Sequence, residues 1–381
     1  MTYIPRVLEK TVSAWLKSFP VVGITGPRQS GKSTMLKKLL GDTYEYVTFD
    51  DFRMIDQFHS DPEKFMRMHD DRVIFDEVQR VPEIFQALKL SVDRERGTRG
   101  KFILTGSGQF AFMKNVSESL AGRIGLLTLL PFQHSEVPAR LRDESLYLGG
   151  YPELVTRGYD SSEGWFSSYL ETYLNRDLRD LYNIGDMRDF RRCVQMLASR
   201  TAQILNMSDL ARDIGITVPT VKKWVSVLEA SHIIFLLPPF YKNMGKRISK
   251  SPKVYFHDTG IVSYLTGVRN AALFETGPMY GQLFENYIVA DILKRELHTS
   301  AGGDLYYIRT NHGVEVDLIV DRKSEAEYIE IKTSETFRSG MVSSIEKIKG
   351  KKEKGYLVYR GRSAPYDGNI SIVNYAKFLT G

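Results

Sequence analysis

The sequence predicts an α/β fold built on a parallel sheet, and three observations carry that prediction. Four short apolar runs, VVGIT (21–25), YEYVTF (44–49), RVIFDE (72–77) and KFILTG (101–106), alternate with stretches of helical spacing. Strands that alternate with helices build parallel sheets covered on both faces. The first run leads into the glycine-bearing segment GPRQSGKST (26–34) and then the helix-like MLKKLL, and the third ends in Asp76-Glu77. Both features fall at the carboxyl edge of the expected sheet, where open α/β sheets hold their ligands.

Gly26 to Thr34 fits the phosphate-loop pattern G-x-x-x-x-G-K-S/T between a buried strand and a helix. The glycines let successive amides converge on one anion, and the N-terminal dipole of the next helix adds to the attraction. Gly26, Pro27, Arg28, Gln29, Ser30, Gly31, Lys32, Ser33 and Thr34 are therefore the expected residues that bind a nucleoside triphosphate. Lys32 is placed to reach the β- and γ-phosphates, and Ser33 to ligate Mg²⁺.

At the end of the third run, Asp76 is expected to hold Mg²⁺ through water, and Glu77 to polarise the water that attacks the γ-phosphate. After the fourth run, TGSGQF brings Thr105 or Ser107 beside the phosphates. In SLAGRIGLLTLLPF, Arg123 stands among apolar residues on a helix-to-strand connection. It either caps carbonyls or reaches a neighbouring subunit's γ-phosphate, a role worth about 10³–10⁵ in rate.

Phosphate loop, acidic pair, TGS turn and LAGRI together resemble the prokaryotic AAA+ ATPases that carry an uncharacterised C-terminal domain. Later phrases agree: GGYPELV (149–155), YLETYLNRDLRDL (169–181), VYFHDTGIVSYLTG (254–267), GQLFENYIV, EVDLIV and EYIEIK. The resemblance implies ATP as ligand and rings of identical subunits, in which Arg123 would act in trans. The chain departs from it at Gly108, where relatives often carry a second serine.

The length of 381 residues points to two or three domains. The expected division is an AAA+ type ATPase domain (1–148), a helical and winged-helix-like domain (149–245) and a restriction-endonuclease-like α/β domain (246–381). Apolar residues make up 42% of the chain and charged ones 26%, ordinary for globular protein. No apolar stretch approaches the roughly 18 residues of a membrane span, and the start MTYIPRVLEK has no hydrophobic signal segment. A single cysteine, Cys193, leaves no internal disulfide, and the expected compartment is the cytoplasm. The net charge of +6 permits nucleic-acid contact without requiring it.

In the middle of the chain, Tyr169, Leu170, Tyr173, Leu174, Leu178 and Leu181 recur at helical spacing, a buried face. MSDLARDIGITVPTVKKWVSVLEASHIIFLL (207–237) has the cadence of a helix-turn-helix followed by a wing strand. Ser208 is the expected cap of its first helix, Gly215 allows the turn, and Thr217 with Pro219 starts the second. Val221, Trp224, Val225 and Leu228 should face inward, leaving Thr220, Lys222, Lys223 and Ser226 for a DNA groove. Packing or oligomerisation is the equal alternative. In KNMGKRISKSPK, the cations Lys242, Lys246, Arg247, Lys250 and Lys253 occur with no acid between them. They form either a solvated connection or, if all five meet phosphates, a surface whose log–log salt slope is about −4.5.

In the last segment, alternation in VEVDLIV sends Val314, Val316 and Leu318 to one face and Glu315 and Asp317 to the other. EYIEIKT likewise pairs Glu330 with Lys332, with Ile329 and Ile331 turned to the core. An acid on one strand and acid-x-Lys on the next is the layout by which metal-dependent nucleases gather Mg²⁺. The segment resembles the restriction-endonuclease superfamily, and the resemblance implies Glu285 as a further acid. It departs in having Val316 where that superfamily has proline, and many members of the superfamily only bind.

Three functions fit these residues. The first is an ATP-driven switch or motor acting on DNA or another macromolecule, using ATP and Mg²⁺, with Glu77, Lys32 and Arg123 in catalytic roles. The second is a nucleotide-dependent regulatory protein with a dead nuclease-like docking domain, and the third an ATP-gated Mg²⁺-dependent nuclease.

Overall fold

The computed structural model describes residues 3–95, 97–106, 112, 115–116, 118–173, 185–240, 251–310 and 313–381. The chain divides into two compact units. One comprises Met1–Pro131 with Ala230–His232 and Leu297–Ser300; the other comprises Phe132–Glu229, Ile233–Glu296 and Ala301–Gly381.

The first unit is built on five parallel strands: β1 (Val21–Thr25), β2 (Glu45–Thr48), β3 (Val73–Asp76), β4 (Phe102–Thr105) and β5 (Ile124–Thr128), in the order β2-β3-β4-β1-β5. All four runs picked out by alternation are strands, and β5 joins them beyond Arg123. Successive residues go to opposite faces, as a pleated strand requires. Val22, Ile24, Ile74, Ile103 and Leu127 pack with Leu8 and Val12 of α1 (Leu8–Trp15) and with Met35 and Leu36 of α2 (Lys32–Leu40). Val21, Val73, Phe75, Phe102 and Leu104 pack on the other side against Ile84, Phe85 and Leu88 of the helix Ile84–Arg94. Because β1 lies between β4 and β5, the strand order reverses beside it, and the carboxyl end of such a strand is where open α/β sheets hold their ligands.

In the second unit, the helices Met187–Ser199, Met207–Ile214 and Val218–Ala230 accompany a small antiparallel sheet. Its strands β6 (Gln203–Ile204), β7 (Ile234–Leu237) and β8 (Lys253–Phe256) are ordered β6-β8-β7, so the third comes from beyond residue 245. The cap of Met207–Ile214 is Asn206, whose side chain accepts from the amides of Ser208 and Asp209, rather than Ser208. The helix therefore starts two residues earlier than the sequence signal indicated. Gly215 makes the left-handed turn with φ +87°, and the amide of Thr220 donates to Thr217 Oγ1 at 3.3 Å. Val221, Trp224, Val225 and Leu228 are buried, while Lys222, Lys223 and Ser226 are exposed. Leu174, Leu178 and Leu181, and the cations Lys242, Lys246, Arg247 and Lys250, lie outside the described residues.

The same unit holds a six-stranded mixed sheet of β9 (Asp304–Arg309), β10 (Glu315–Asp321), β11 (Ala326–Lys332), β12 (Lys354–Tyr359), β13 (Ala364–Pro365) and β14 (Ile370–Asn374). Their order is β13-β14-β12-β11-β10-β9, with β11, β12 and β14 parallel. Simple alternation fails within β10. Its pairing with β9 slips between Val316 and Ile319, a bulge that inserts one residue. Val316 therefore shares its apolar cluster with Ile319 instead of Leu318.

Two phrases from the sequence meet here. Asp258, at the head of the helix Thr259–Thr266, accepts from the amides of Gly150 (2.7 Å) and Gly260 (2.9 Å). Gly149 has φ +77°, and a β-carbon on it would stand 1.9 Å from Asp258 Oδ1, so the glycine is what admits the carboxylate. Among the described residues no helix is long and apolar enough to cross a membrane.

Candidate functional site

The carboxyl end of β1 turns into the phosphate loop through three left-handed residues: Gly26 (φ +142°), Gln29 (φ +60°) and Gly31 (φ +93°). Alternation of left-handed with other backbone conformations turns amides inward to form an anion-receiving concavity. Gly31 is the N-cap of α2 with no side-chain capping bond, so the first turn of that helix adds its free amides to the loop. Lys32 is buried, and its ammonium donates to the carbonyls of Gly26 and Pro27, each at 2.9 Å. Burial lowers its pKa to about 8 against the upward pull of Glu77 and Asp76, while Arg28 adds to the depression.

Asp76, at the end of β3, is buried and collects three hydroxyl donors. Ser33 Oγ lies 3.1 Å from Oδ2, and Tyr46 and Thr105 donate to the two oxygens from β2 and β4. Burial and then the bond to Asp76 raise the Tyr46 pKa. Glu77, next in the chain, adopts φ +56° and accepts from Gln79 Nε2. Lys32, Ser33, Asp76, Glu77 and Thr105 thus gather at one edge of the sheet, while Ser107 lies outside the described residues. A hydroxyl beside a carboxylate is the oxygen pair that Mg²⁺ takes together with phosphate and water.

Arg123 is placed elsewhere. It immediately precedes β5, whose Ile124 pairs with Val21 at the opposite, amino end of β1. Its guanidinium grips Asp93 with Nε at 2.9 Å and a terminal nitrogen at 3.0 Å. That bidentate bond raises its pKa.

In the second unit the expected acids do converge. Asp317 on β10 accepts from the amide of Ile331 on β11 at 2.8 Å, and Lys332 Nζ lies 2.7 Å from Glu330 Oε1 and 3.9 Å from Asp317 Oδ2. Glu285, on the helix Tyr280–Thr299, accepts from Tyr255 at 2.6 Å. Burial, with the Asp317 carboxylate nearby, raises the pKa of both Glu285 and Glu330. Lys253, which the sequence grouped with a basic run free to meet phosphates, is instead only 3% exposed. Its ammonium lies 3.0 Å from Glu285, 2.7 Å from Glu315 and 4.0 Å from Asp317. It begins a strand buried along its whole length, and a lysine there must bring its counter-charges with it.

Comparison with known proteins bears on the domain that holds the first of these sites. Residues 18–138 match the model of an AAA domain, and residues 139–272 and 280–378 match two domains of unknown function, DUF8612 and DUF4143. The uncharacterized proteins Rv2008c of Mycobacterium tuberculosis and Mb2031c of Mycobacterium bovis are each 32% identical over 319 residues, covering 83% of this chain and 71% of theirs. The chain belongs to the family of these mycobacterial proteins. Among solved structures, the Walker-type ATPase PABY2304 of Pyrococcus abyssi is similar at 15% identity and a TM-score of 0.46, covering 68% of this chain and 98% of that one. The parallel sheet of this family member, with its helices, lies in the segment that matches the AAA domain, and that match points to nucleotide binding and hydrolysis.

Three residues at the AAA site escaped the sequence reading. Arg6 is buried and donates to the carbonyls of Ser30 (2.8 Å) and Leu130 (2.7 Å), tying the phosphate loop to the segment after β5. Tyr46 reaches Asp76 from a strand read only as apolar. His232 is buried in the same unit, where burial and then the charge of Lys32 lower its pKa to about 4. Nothing local marks any of them: each acts through a contact far along the chain.

Proposed function

We propose that this protein is an ATP-hydrolysing switch whose AAA domain drives the modules that follow it. The observation that carries the reading is the joining of Lys32, Ser33 and Asp76 at the carboxyl edge of a parallel sheet, where the strand order reverses. The loop amides from Gly26 to Thr34 and the Lys32 ammonium would hold the phosphates, and Ser33 and Asp76 would hold Mg²⁺, which neutralises charge on the β- and γ-oxygens. Glu77 stands next to Asp76 with its backbone turned left-handed, and we assign it the orientation of the attacking water. For Arg123, the bidentate grip on Asp93 favours a bracing role; action in trans would require that pair to break.

The helices from 187 to 230 with β6, β7 and β8 fit a winged-helix-like module, which would extend through Phe256 rather than stop at 245. The six-stranded sheet with Glu285, Asp317, Glu330 and Lys332 supports the restriction-endonuclease-like reading of the remainder. The exposed Lys222, Lys223 and Ser226 make DNA the first macromolecular partner to test. Steady-state ATP hydrolysis with and without Mg²⁺, DNA and RNA tests the whole reading. Lys32→Ala is expected to abolish nucleotide binding, and Glu77→Gln to bind ATP without turning it over. Equal turnover by wild type and Glu77→Gln would remove Glu77 from the mechanism.

A further inference from the structure

We propose that the acidic centre of the second unit is filled by its own lysine: the Lys253 ammonium occupies the place of a divalent cation, and the centre neither takes Mg²⁺ nor cleaves phosphodiesters. A metal-dependent nuclease needs an open position among its carboxylates, where a cation meets water and the scissile phosphate. Here that position is closed. Lys253 Nζ stands among Glu285, Glu315 and Asp317. Lys332 approaches Asp317 from the other side at 3.9 Å, so the carboxylate that a metal would share is bordered by two ammonium groups. A divalent cation entering there would be repelled by both. Among the described residues, no group of three or more His, Cys, Asp or Glu side chains is arranged to hold a metal ion.

The placement of Lys253 follows from β8. Lys253 and Tyr255 are two residues apart on one strand and therefore point the same way. Both meet Glu285 Oε1, at 3.0 Å and 2.6 Å. The Tyr307 ring adds a cation–π contact, its centroid 5.5 Å from Nζ. Burial alone would lower the Lys253 pKa, but Glu285, Asp317 and Glu315 more than offset it and hold the group charged. The oxygens that would be left to receive a cation if the lysine withdrew are those it now meets, on Glu285, Glu315 and Asp317.

The test counts Mn²⁺ on the full chain by electron paramagnetic resonance with no nucleotide present, so its outcome is separate from that of the ATPase reading. Wild type and Asp317→Asn should hold equal amounts, and neither should nick supercoiled DNA with Mg²⁺ or Mn²⁺. Lys253→Met, which keeps the stem and removes the charge, should gain one Mn²⁺ per chain, and the further change Asp317→Asn should abolish the gain. Mn²⁺ on the wild type that Asp317→Asn removes would overturn the proposal. So would a folded Lys253→Met protein that gains none. Should that variant fail to fold, Lys253→Gln takes its place, and the wild-type measurement decides by itself.

Discussion

Lys32 is held where water would not choose to leave an ammonium group: buried, and bonded to two carbonyls of its own loop. Its pKa falls from 10.5 to about 8 because burial outweighs the attraction of Glu77 and Asp76. Below pH 8 the proton is bound in both states, and the folded chain bears a cost on the order of 3 kcal/mol. Between about 8 and 10.5 the unfolded chain binds a proton that the folded one does not, so this group's contribution to stability rises with pH. A polyphosphate reverses the balance by favouring the charged form. ATP binding at pH 8.5 to 9 is therefore expected to take up a proton at Lys32, and affinity should weaken as pH rises through 8, approaching tenfold per unit. Calorimetry in buffers of different ionisation enthalpy reads the uptake directly. Binding heats at pH 9 that do not depend on the buffer would remove Lys32 from the phosphate contacts.

At the scale of the element, β1 and its loop are shaped by what Gly26 lacks. A β-carbon there would stand 2.1 Å from the Leu129 carbonyl oxygen, a backbone atom fixed by the bond from the Leu129 amide to Thr25. Gly26→Ala is expected to destabilise by at least about 1–3 kcal/mol through backbone strain alone, and to abolish ATP binding by displacing the loop; urea denaturation and nucleotide titration check the two effects. A stable, nucleotide-competent Gly26→Ala protein would contradict this account of the loop. The same element shows what a sequence can display. Four strands of the first sheet, the loop and the acidic pair were legible because each is a local pattern with its partners nearby in the chain. The β10 bulge was not, because register is decided by β9, and one extra residue reverses the inward set. Lys253 was misread for the same reason. Its neighbours along the chain, Lys250 and Arg247, suggest a solvated run, while the carboxylates that bury it come from residues 285, 315 and 317.

Across the whole molecule, the matched AAA segment runs from residue 18 to 138, yet the compact unit that holds it up to Pro131 also takes in Ala230–His232 and Leu297–Ser300. Those two short returns are specific. His298 is fully buried; its Nε2 accepts the Leu130 amide at 3.2 Å, and its carbonyl accepts Thr11 of α1 at 2.7 Å. Arg6 holds the Leu130 carbonyl, so both backbone groups of Leu130 are satisfied by side chains distant in sequence, directly after the residue against which Gly26 packs. Cutting the chain after residue 138 would leave the Leu130 amide without its acceptor and remove His232 from the neighbourhood of Lys32. A buried donor left unsatisfied costs about 1–3 kcal/mol. The fragment 1–138 is therefore expected to unfold at lower urea concentration than the full chain, and to bind ATP more weakly. His298→Ala in the full chain should reproduce about 1–3 kcal/mol of that loss, since it removes the acceptor of one buried amide while leaving the main-chain bond from Thr11 in place. A fragment as stable and as nucleotide-competent as the intact protein would show that the AAA domain folds without its C-terminal returns.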